Sequence, residues 1–195
     1  MLRVEELSAG AADTPLTFDV AAGHCVGLLG RDATALRRIA EALGGMRPPA
    51  AGRVLIDTVD LLHNEQRRSH VSVCLPRAAH RLTTLGEHLS TIASTRGRTR
   101  LPVADAIARL GLDPRARLTT AAAQSAAALL GALIAETSVA VLHDPFNGLT
   151  EAVRRNAIEW IHSLSNSRTS FVMTGTEERD VRSVSHSVIE IGARR

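Results

Sequence analysis

The feature that most constrains the fold is an apolar stretch that passes through a glycine-bounded turn into a segment with helical periodicity. The stretch from Cys25 to Leu29 is apolar, and it lies between Gly23 and Gly30. After it, apolar residues recur at the spacing of one helix face, at Leu36, Ile39, Ala40 and Leu43. This pattern predicts a buried strand, a turn and a helix in direct succession.

A strand, loop and helix in this order can bind phosphate. The loop glycines let backbone N–H groups surround the anion, the helix N-terminus points at it, and a lysine reaches the terminal phosphates. This chain has no lysine, so all 23 of its basic residues are arginines. Of the three phosphate-binding features, the sequence therefore predicts only the helix N-terminus.

Composition excludes several classes of protein. A chain of 195 residues with 45% hydrophobic residues is long enough for one domain, or for a domain with a small inserted lobe. The N-terminus has charges where a signal peptide needs apolar residues, and the longest apolar run, Ala126 to Ala135, is too short to cross a bilayer. We therefore expect a soluble, cytoplasmic protein, with Cys25 and Cys74 reduced and buried.

No ligand cluster for a metal is recognisable, because the eight histidines are scattered along the chain. The formal net charge is +3 and is mildly basic. The abundance of alanine and arginine is typical of GC-rich coding, which explains most of the arginine surplus. The high pI is therefore weak support for nucleic-acid binding.

The stretch from Gly23 to Val54 resembles the ATP-binding subunit of an ABC transporter. In that family a strand ending in the letters GLLG enters the phosphate loop, and the following helix ends before a P-x-x-x-G turn. Here the segment from Gly44 to Gly52 matches that turn, and the strand Arg53 to Ile56 follows it. The resemblance implies an α/β fold of the P-loop NTPase type, with a three-layer core, an N-terminal antiparallel β-subdomain and a reduced helical subdomain.

The spacing from Gly30 to Gly52 places the degenerate phosphate loop at residues Gly30, Arg31, Asp32, Ala33, Thr34, Ala35, Leu36, Arg37 and Arg38. In this alignment Ala35 replaces the second loop glycine, Leu36 the lysine and Arg37 the magnesium ligand. An alternative alignment that starts at Gly27 puts Ala33 at the lysine and Thr34 at the magnesium ligand. Neither alignment restores the motif.

The run from Val139 to Thr150 resembles the family segment LLLLDEP-x-x-G-L-D. His143 stands at the aspartate that orders magnesium, Asp144 at the glutamate that polarises the attacking water, and Thr150 at the closing aspartate. As an acid–base pair, His143 and Asp144 are disfavoured, because adjacent residues at a strand end point to opposite faces.

Three further family positions are also changed. Arg77 occupies the place of the Q-loop glutamine, and Gly175 the place of the switch histidine. The LSGGQ signature corresponds to Thr119 through Gln124, although its leucine corresponds to either Leu118 or Thr119, and the region between Gly111 and Gly131 has no glycine. A side chain on each of these residues obstructs the close approach of backbone N–H groups to a phosphate.

The resemblance divides the chain into a β-subdomain with the first half of the core (1–76), a helical subdomain (77–127) and the second half of the core (128–195). It implies docking to a transmembrane permease through the region from Arg77 to Leu89, and pairing with a second ATPase-like subunit. It also implies ATP with magnesium as ligand, for which we expect weak affinity and little or no hydrolysis.

Three functions fit the sequence. The first is a non-hydrolysing subunit or scaffold held at the inner face of the membrane through a permease or an active ATPase partner. The second is an active ABC-type ATPase, in which Arg31, Arg37 and Arg38 replace the lysine as anion ligands. The third is a basic nucleic-acid-binding protein, which the dispersed arginines and the 2% aromatic content disfavour.

Overall fold

The fold combines an antiparallel and a parallel sheet with helices on both sides of the latter. The computed structural model describes residues 1–10, 14–76 and 83–192. Its strands are β1 (Leu2–Ser8), β2 (Leu16–Val20), β3 (Cys25–Gly30), β4 (Ala51–Ile56), β5 (Val59–Asp60), β6 (Val71–Cys74), β7 (Val139–His143), β8 (Ser170–Gly175) and β9 (Ser187–Ile191). Its helices are α1 (Ala33–Leu43), α2 (Glu65–Arg68), α3 (Leu85–Arg96), α4 (Val103–Arg109), α5 (Ala121–Ile134), α6 (Glu151–Asn166) and α7 (Glu178–Val184).

The small sheet has the strand order β2-β1-β4-β5 and is antiparallel. The large sheet has the order β6-β7-β8-β3-β9, and every one of its strand pairs is parallel. The predicted α/β fold, with an antiparallel N-terminal sheet and a parallel core sheet, is therefore confirmed.

Alternating side chains of the central strands belong to two hydrophobic cores. In β7, Val139 and Val141 pack with α1 and the antiparallel sheet, whereas Ala140 and Leu142 pack with the helices of the opposite face. This alternation follows from the two-residue period of a strand. Strands buried on both faces are apolar throughout, which is why these runs could be recognised in the sequence.

Two elements begin earlier than the sequence pattern indicates. The alanine- and leucine-rich sequence predicts a helix from Ser125 to Ala135. Helix α5 instead starts at Ala121, because the Thr120 hydroxyl accepts a hydrogen bond from the Ala123 N–H at 3.2 Å. Alanines after such a cap favour continued helix. In β4, pairing starts at Ala51 rather than Arg53.

The buried positions of Cys25 and Cys74 are confirmed, and neither thiol forms a disulfide. Trp160 is only 1% exposed and packs within the helical core, as its place in the amphipathic pattern of α6 predicts. In the described part of the chain, no helix has the length and apolar character needed to cross a membrane.

Candidate functional site

The C-terminal ends of three neighbouring parallel strands bring most of the candidate residues together. His143, at the end of β7, lies beside Thr174 of β8 in the sheet, and Gly175 lies beside Leu29 of β3. The turn from β3 into α1 leaves this same edge. Ligands of open α/β sheets bind at the C-terminal edge of the strands, so this edge is the candidate site.

The turn between β3 and α1 contains only Arg31 and Asp32. Helix α1 begins at Ala33, so the residues that a phosphate loop would place around the anion already belong to the helix. The Asp32 carboxylate oxygen Oδ1 accepts hydrogen bonds from the backbone N–H groups of Thr34 at 2.9 Å and Ala35 at 3.1 Å. The helix N-terminus that we predicted is therefore present, but an acidic side chain of this chain already uses its donors.

Leu36, at the lysine position, points into the core instead of towards the strand edge. It is 1% exposed and packs with the core that α1 shares with the antiparallel sheet. Its Cδ2 atom lies 3.5 Å from the place where a Cβ on Gly30 would stand. The side chain at this position is thus part of the packing between β3 and α1.

The three arginines at the start of α1 do not converge on one point. The Arg37 Nε atom lies 3.3 Å from Glu41 Oε1, one helical turn further on, and Glu41 Oε2 lies 3.6 Å from Arg47 Nη1. Arg31 and Arg38 are exposed, and neither forms an ion pair with another described residue. This arrangement favours the solvated basic face over a common anion-binding cluster.

The expectation that His143 and Asp144 point to opposite faces is wrong. His143 Nε2 lies 3.7 Å from Asp144 Oδ2. The reason is that Asp144 has a φ of 40°, in the left-handed region, which ends the strand geometry before the carboxylate is placed. The alternation rule therefore fails one residue beyond β7.

His143 is buried at 6% exposure, and its Nδ1 atom lies 2.9 Å from Thr174 Oγ1. Burial is the largest influence and lowers the pKa of this imidazole. The Asp144 carboxylate opposes it, and the smaller effects of the Arg37 guanidinium, which lowers the pKa, and of the Glu41 carboxylate, which raises it, follow. The net direction is downward, so the imidazole is neutral at neutral pH, although it lies near charged side chains of α1 and near Asp144.

The surroundings of Gly175 leave little room for a side chain. A Cβ at this position would stand 3.0 Å from Asp144 Oδ1 and 3.1 Å from Val181 Cγ2. The same Oδ1 atom accepts a hydrogen bond from the Thr176 N–H at 3.3 Å. The Asp144 carboxylate thus bridges the ends of β7 and β8, where the family resemblance places a histidine side chain.

The segment that corresponds to the signature lies at the start of α5. Thr120 caps this helix, and the Gln124 side-chain amide donates to the Leu118 carbonyl at 3.1 Å. A Cβ on Gly148 would stand 3.5 Å from Ala122 Cα, so the turn after β7 lies against this helix start. Thr150 caps α6 by accepting from the Val153 N–H at 3.4 Å.

The structure does not test every residue that was assigned from the sequence. Arg77 and the first part of the region from Arg77 to Leu89 lie outside the described residues. Within the described ranges, no group of three or more histidine, cysteine or acidic side chains has the geometry of a metal site. Thr174 and Glu41 contribute to the site without having been assigned to it from the sequence, and Asp32, which was placed in the phosphate loop, caps α1 instead. For Asp32 a signal existed, because an aspartate just before a helical pattern is a common N-cap.

Comparison with known proteins places the fold. No family model and no curated protein matches this sequence. Among solved structures, the ATP-binding subunit of an ABC transporter is similar with a TM-score of 0.82 and 19% identity, over 98% of this chain and 85% of the other. An ABC transporter ATP-binding protein from Pyrococcus furiosus, described as putative, gives a TM-score of 0.81 at 16% identity, over 97% and 96% of the two chains. A dimeric ATP-binding cassette in a post-hydrolysis state with ADP and phosphate gives 0.82 at 12% identity, over 98% and 94%.

Proposed function

We propose that this chain is a non-hydrolysing, ABC-type subunit that acts through assembly with a permease, an active ATPase subunit or both. The observation that carries the proposal is the carboxylate of Asp32, which accepts hydrogen bonds from the N–H groups of Thr34 and Ala35. In a phosphate-binding loop, donors of this kind face the nucleotide. Here they face a negative charge of the chain itself, which repels a second anion.

The residues at the strand edge do not fit a magnesium–triphosphate ligand. No lysine is present to reach the terminal phosphates, and Leu36 in its place is buried. Magnesium prefers oxygen ligands, whereas Arg37 and His143 stand at the two positions that would hold it. Phosphoryl transfer depends on positioning and charge neutralisation, so this combination supports the absence of hydrolysis.

A role in assembly is supported by what the chain retains. Both sheets and both hydrophobic cores are present, and the chain matches a solved ATP-binding cassette over 94% of that cassette's length. One of those similar cassettes is a dimer. A subunit that keeps this shape can pair with an ATPase-like chain, and through it or a permease it would lie at the inner membrane face.

Nucleotide binding is the direct test of the disabled site. Isothermal calorimetry with ATP, with and without magnesium, should give no saturable heat at millimolar nucleotide. The variant Asp32→Ala, which frees the two N–H groups and removes the charge, should bind inorganic phosphate more strongly than the wild type. The matched variant Asp32→Asn removes the charge but retains the acceptor, so its phosphate affinity should lie between the two. Micromolar, magnesium-dependent affinity of the wild-type chain for ATP would overturn the proposal and favour the active ATPase.

The assembly role needs a separate experiment. Co-expression with a permease and an ATPase chain encoded alongside it should give a stable complex after affinity purification and size exclusion. In that complex, ATP turnover should depend on the catalytic glutamate of the partner ATPase and be unchanged by Asp144→Asn in this chain. Loss of turnover in the Asp144→Asn complex would instead assign this subunit a catalytic part.

A further inference from the structure

The connection between α7 and β9 lies directly on β3, at the opposite end of the sheet from the candidate site. His186 stands just before β9, level with the start of β3 at Cys25. A Cβ on Gly27 would stand 2.5 Å from Val181 Cγ1 and 2.6 Å from Ser185 Oγ. The end of α7 is therefore packed against β3 with no space between them.

His186 forms two hydrogen bonds with Cys25 at this point. Its backbone N–H donates to the Cys25 carbonyl oxygen at 2.8 Å, and its Nδ1 atom accepts from the Cys25 N–H at 3.0 Å. A backbone N–H is only a donor, so Nδ1 is the unprotonated nitrogen of the ring. In a charged imidazole both ring nitrogens carry protons, so protonation of His186 removes the second hydrogen bond.

A second imidazole lies beside the first. The ring centroids of His24 and His186 are 5.0 Å apart, with an angle of 44° between the ring planes. Both residues are exposed, so water reaches both rings. His24 Nδ1 lies 3.5 Å from the Ala22 carbonyl oxygen, an acceptor that suits a protonated nitrogen. Two positive charges at this separation repel each other, and movement of the rings apart relieves the repulsion.

No carboxylate is placed to stabilise a charge on this pair. Among the histidines in the described part of the chain, only His63 and His143 have a carboxylate at ion-pair distance. The acidic residues within α7 are already in ion pairs, Glu178 with Arg182 and Asp180 with Arg154. Protonation of the pair is therefore not compensated by a nearby negative charge.

The other titratable or charged groups that the contacts bring to this end of the sheet are the Cys25 thiol and two basic residues. The thiol is buried, and its Sγ atom lies 3.8 Å from Ser185 Oγ. His162 of α6 has its Nε2 atom 3.2 Å from the Ser183 carbonyl oxygen. Arg168, after α6, has its Cα atom 3.6 Å from the place where a Cβ on Gly23 would stand. Neither basic residue stabilises a proton on His186.

We propose that His186 and His24 form a pH-sensitive latch, which holds the end of α7 on β3 at neutral pH and releases it in acid. Nδ1 of His186 is occupied in the closed arrangement and free in the open one. The open arrangement therefore binds protons more readily, so a falling pH shifts the equilibrium towards it. Histidine is the side chain whose charge ordinarily changes between about pH 5 and about pH 8.

The latch restrains a helix that also packs at the candidate site. Val181 of α7 has its Cγ2 atom 3.1 Å from the place where a Cβ on Gly175 would stand. Release of the C-terminal end of α7 thus loosens an element that lies against the strand edge. The inference goes beyond the proposed function and does not depend on it, because it uses no property of nucleotide or partner binding.

The test is amide hydrogen exchange of the full chain by NMR at about pH 7.5 and about pH 5.5. Rates are expressed as protection factors, which remove the intrinsic pH dependence of exchange. The Cys25 N–H should lose protection at least about fivefold in acid, the factor that corresponds to the net contribution of one hydrogen bond. The Leu28 N–H, inside β3, should stay better protected than the Cys25 N–H at both pH values, which shows that Cys25 reports a local opening.

Variants at exposed positions assign the response. In His186→Asn the side-chain oxygen accepts from the Cys25 N–H and does not titrate, so protection should be the same at both pH values. His186→Ala has no acceptor, so protection should be low at both. The matched control His162→Gln removes a neighbouring imidazole that does not contact Cys25, and it should keep the wild-type response.

Three results would overturn the proposal. The first is unchanged protection of the Cys25 N–H in the wild type between the two pH values. The second is a pH response that persists in His186→Asn, and the third is a response that disappears in His162→Gln. His186→Ala decides the case independently, because wild-type protection at about pH 7.5 in that variant would show that Nδ1 does not hold the Cys25 N–H.

Discussion

Asp32 affects the candidate site through the start of α1. Its carboxylate satisfies two of the N–H groups that an α-helix leaves without intrahelical partners at its first turn. Because the residue is exposed, the hydrogen bonds replace bonds to water and their net contribution to stability is modest. The same interaction that begins α1 also places a negative charge where a phosphate would lie.

Replacing Asp32 should therefore affect stability through the loss of the cap. We expect Asp32→Ala to lower the free energy of unfolding by about 1 kcal/mol and Asp32→Asn to change it by only a few tenths, because asparagine retains the acceptor. Urea unfolding followed by circular dichroism measures both. Equal destabilisation by the two variants would mean that the charge, and not the cap, stabilises this helix start.

His143 links the stability of the chain to pH. Burial keeps the pKa of the folded imidazole below its ordinary value of 6.5, so the unfolded chain binds more protons as the pH falls below that value. The contribution of neutral His143 is thus fully present above about pH 6.5 and is lost progressively below it. His88 adds to the same trend, since burial lowers its pKa too.

The expected measurement is a comparison of unfolding free energies at about pH 7.5 and about pH 5.5. The wild type should be less stable at the lower pH, and His143→Asn should show a smaller difference between the two conditions. His88→Gln serves as the reference for the second imidazole. If His143→Asn kept the full pH dependence of the wild type, the titration would have to be assigned to another group.

At the level of elements, the antiparallel sheet depends on one close backbone approach. The pairing of β1 with β4 shifts between Glu5 and Ser8, and Glu6 has a φ of 51° at this irregularity. Gly52 faces it with a φ of 78°, and a Cβ on Gly52 would stand 2.2 Å from the Glu6 carbonyl oxygen. Both the backbone conformation and the lack of space require glycine here.

Two glycine substitutions separate the effect of backbone conformation on stability from the effect of a steric clash. Gly97, at the end of α3, has a φ of 71° but no atom within 4 Å of an added Cβ. Gly97→Ala should cost about 1 kcal/mol of stability, from conformation alone, and Gly52→Ala roughly 2–4 kcal/mol, because it adds a clash with backbone. Thermal or urea unfolding of both variants measures their stabilities. Similar losses of stability in the two variants would show that β1 can move away from Gly52.

At the level of the whole molecule, one parallel sheet connects two hydrophobic cores. Side chains of β7 and β8 enter both, so neither core can form fully without the shared strands. Cys25 of β3 and Cys74 of β6 are buried in this sheet. Burial raises the pKa of the Cys25 thiol to about 12 and that of Cys74 even further, so neither forms a reactive thiolate in the folded chain.

Thiol labelling can therefore report cooperative unfolding. With iodoacetamide at about pH 8, both cysteines should react at least about a thousandfold more slowly than in the unfolded chain, and at the same rate, if unfolding is global. Mass spectrometry of digested protein resolves the two sites. A much faster reaction at Cys25 would indicate that β3 and its contacts with α7 open locally.

Much of the fold was predictable from the sequence because it depends on local patterns. The apolar runs that become β3, β7 and β8, and the periodicity of α1 and α6, require no knowledge of distant contacts. The start of α5 was misplaced because the threonine cap was not recognised. The division into subdomains and the loss of hydrolysis remain predictions.

By itself, the sequence determined the order of strands and helices, the apolar faces that form the cores, and the absence of any lysine at the candidate site. Only the tertiary structure decided that His143 and Asp144 lie on the same side, that Gly175 leaves room for the Asp144 carboxylate, and that the His186 imidazole accepts from the Cys25 N–H. The physical reason is the range of the interactions. Hydrophobic periodicity and composition are local properties, whereas side-chain convergence depends on a left-handed φ and on packing between segments far apart in the chain.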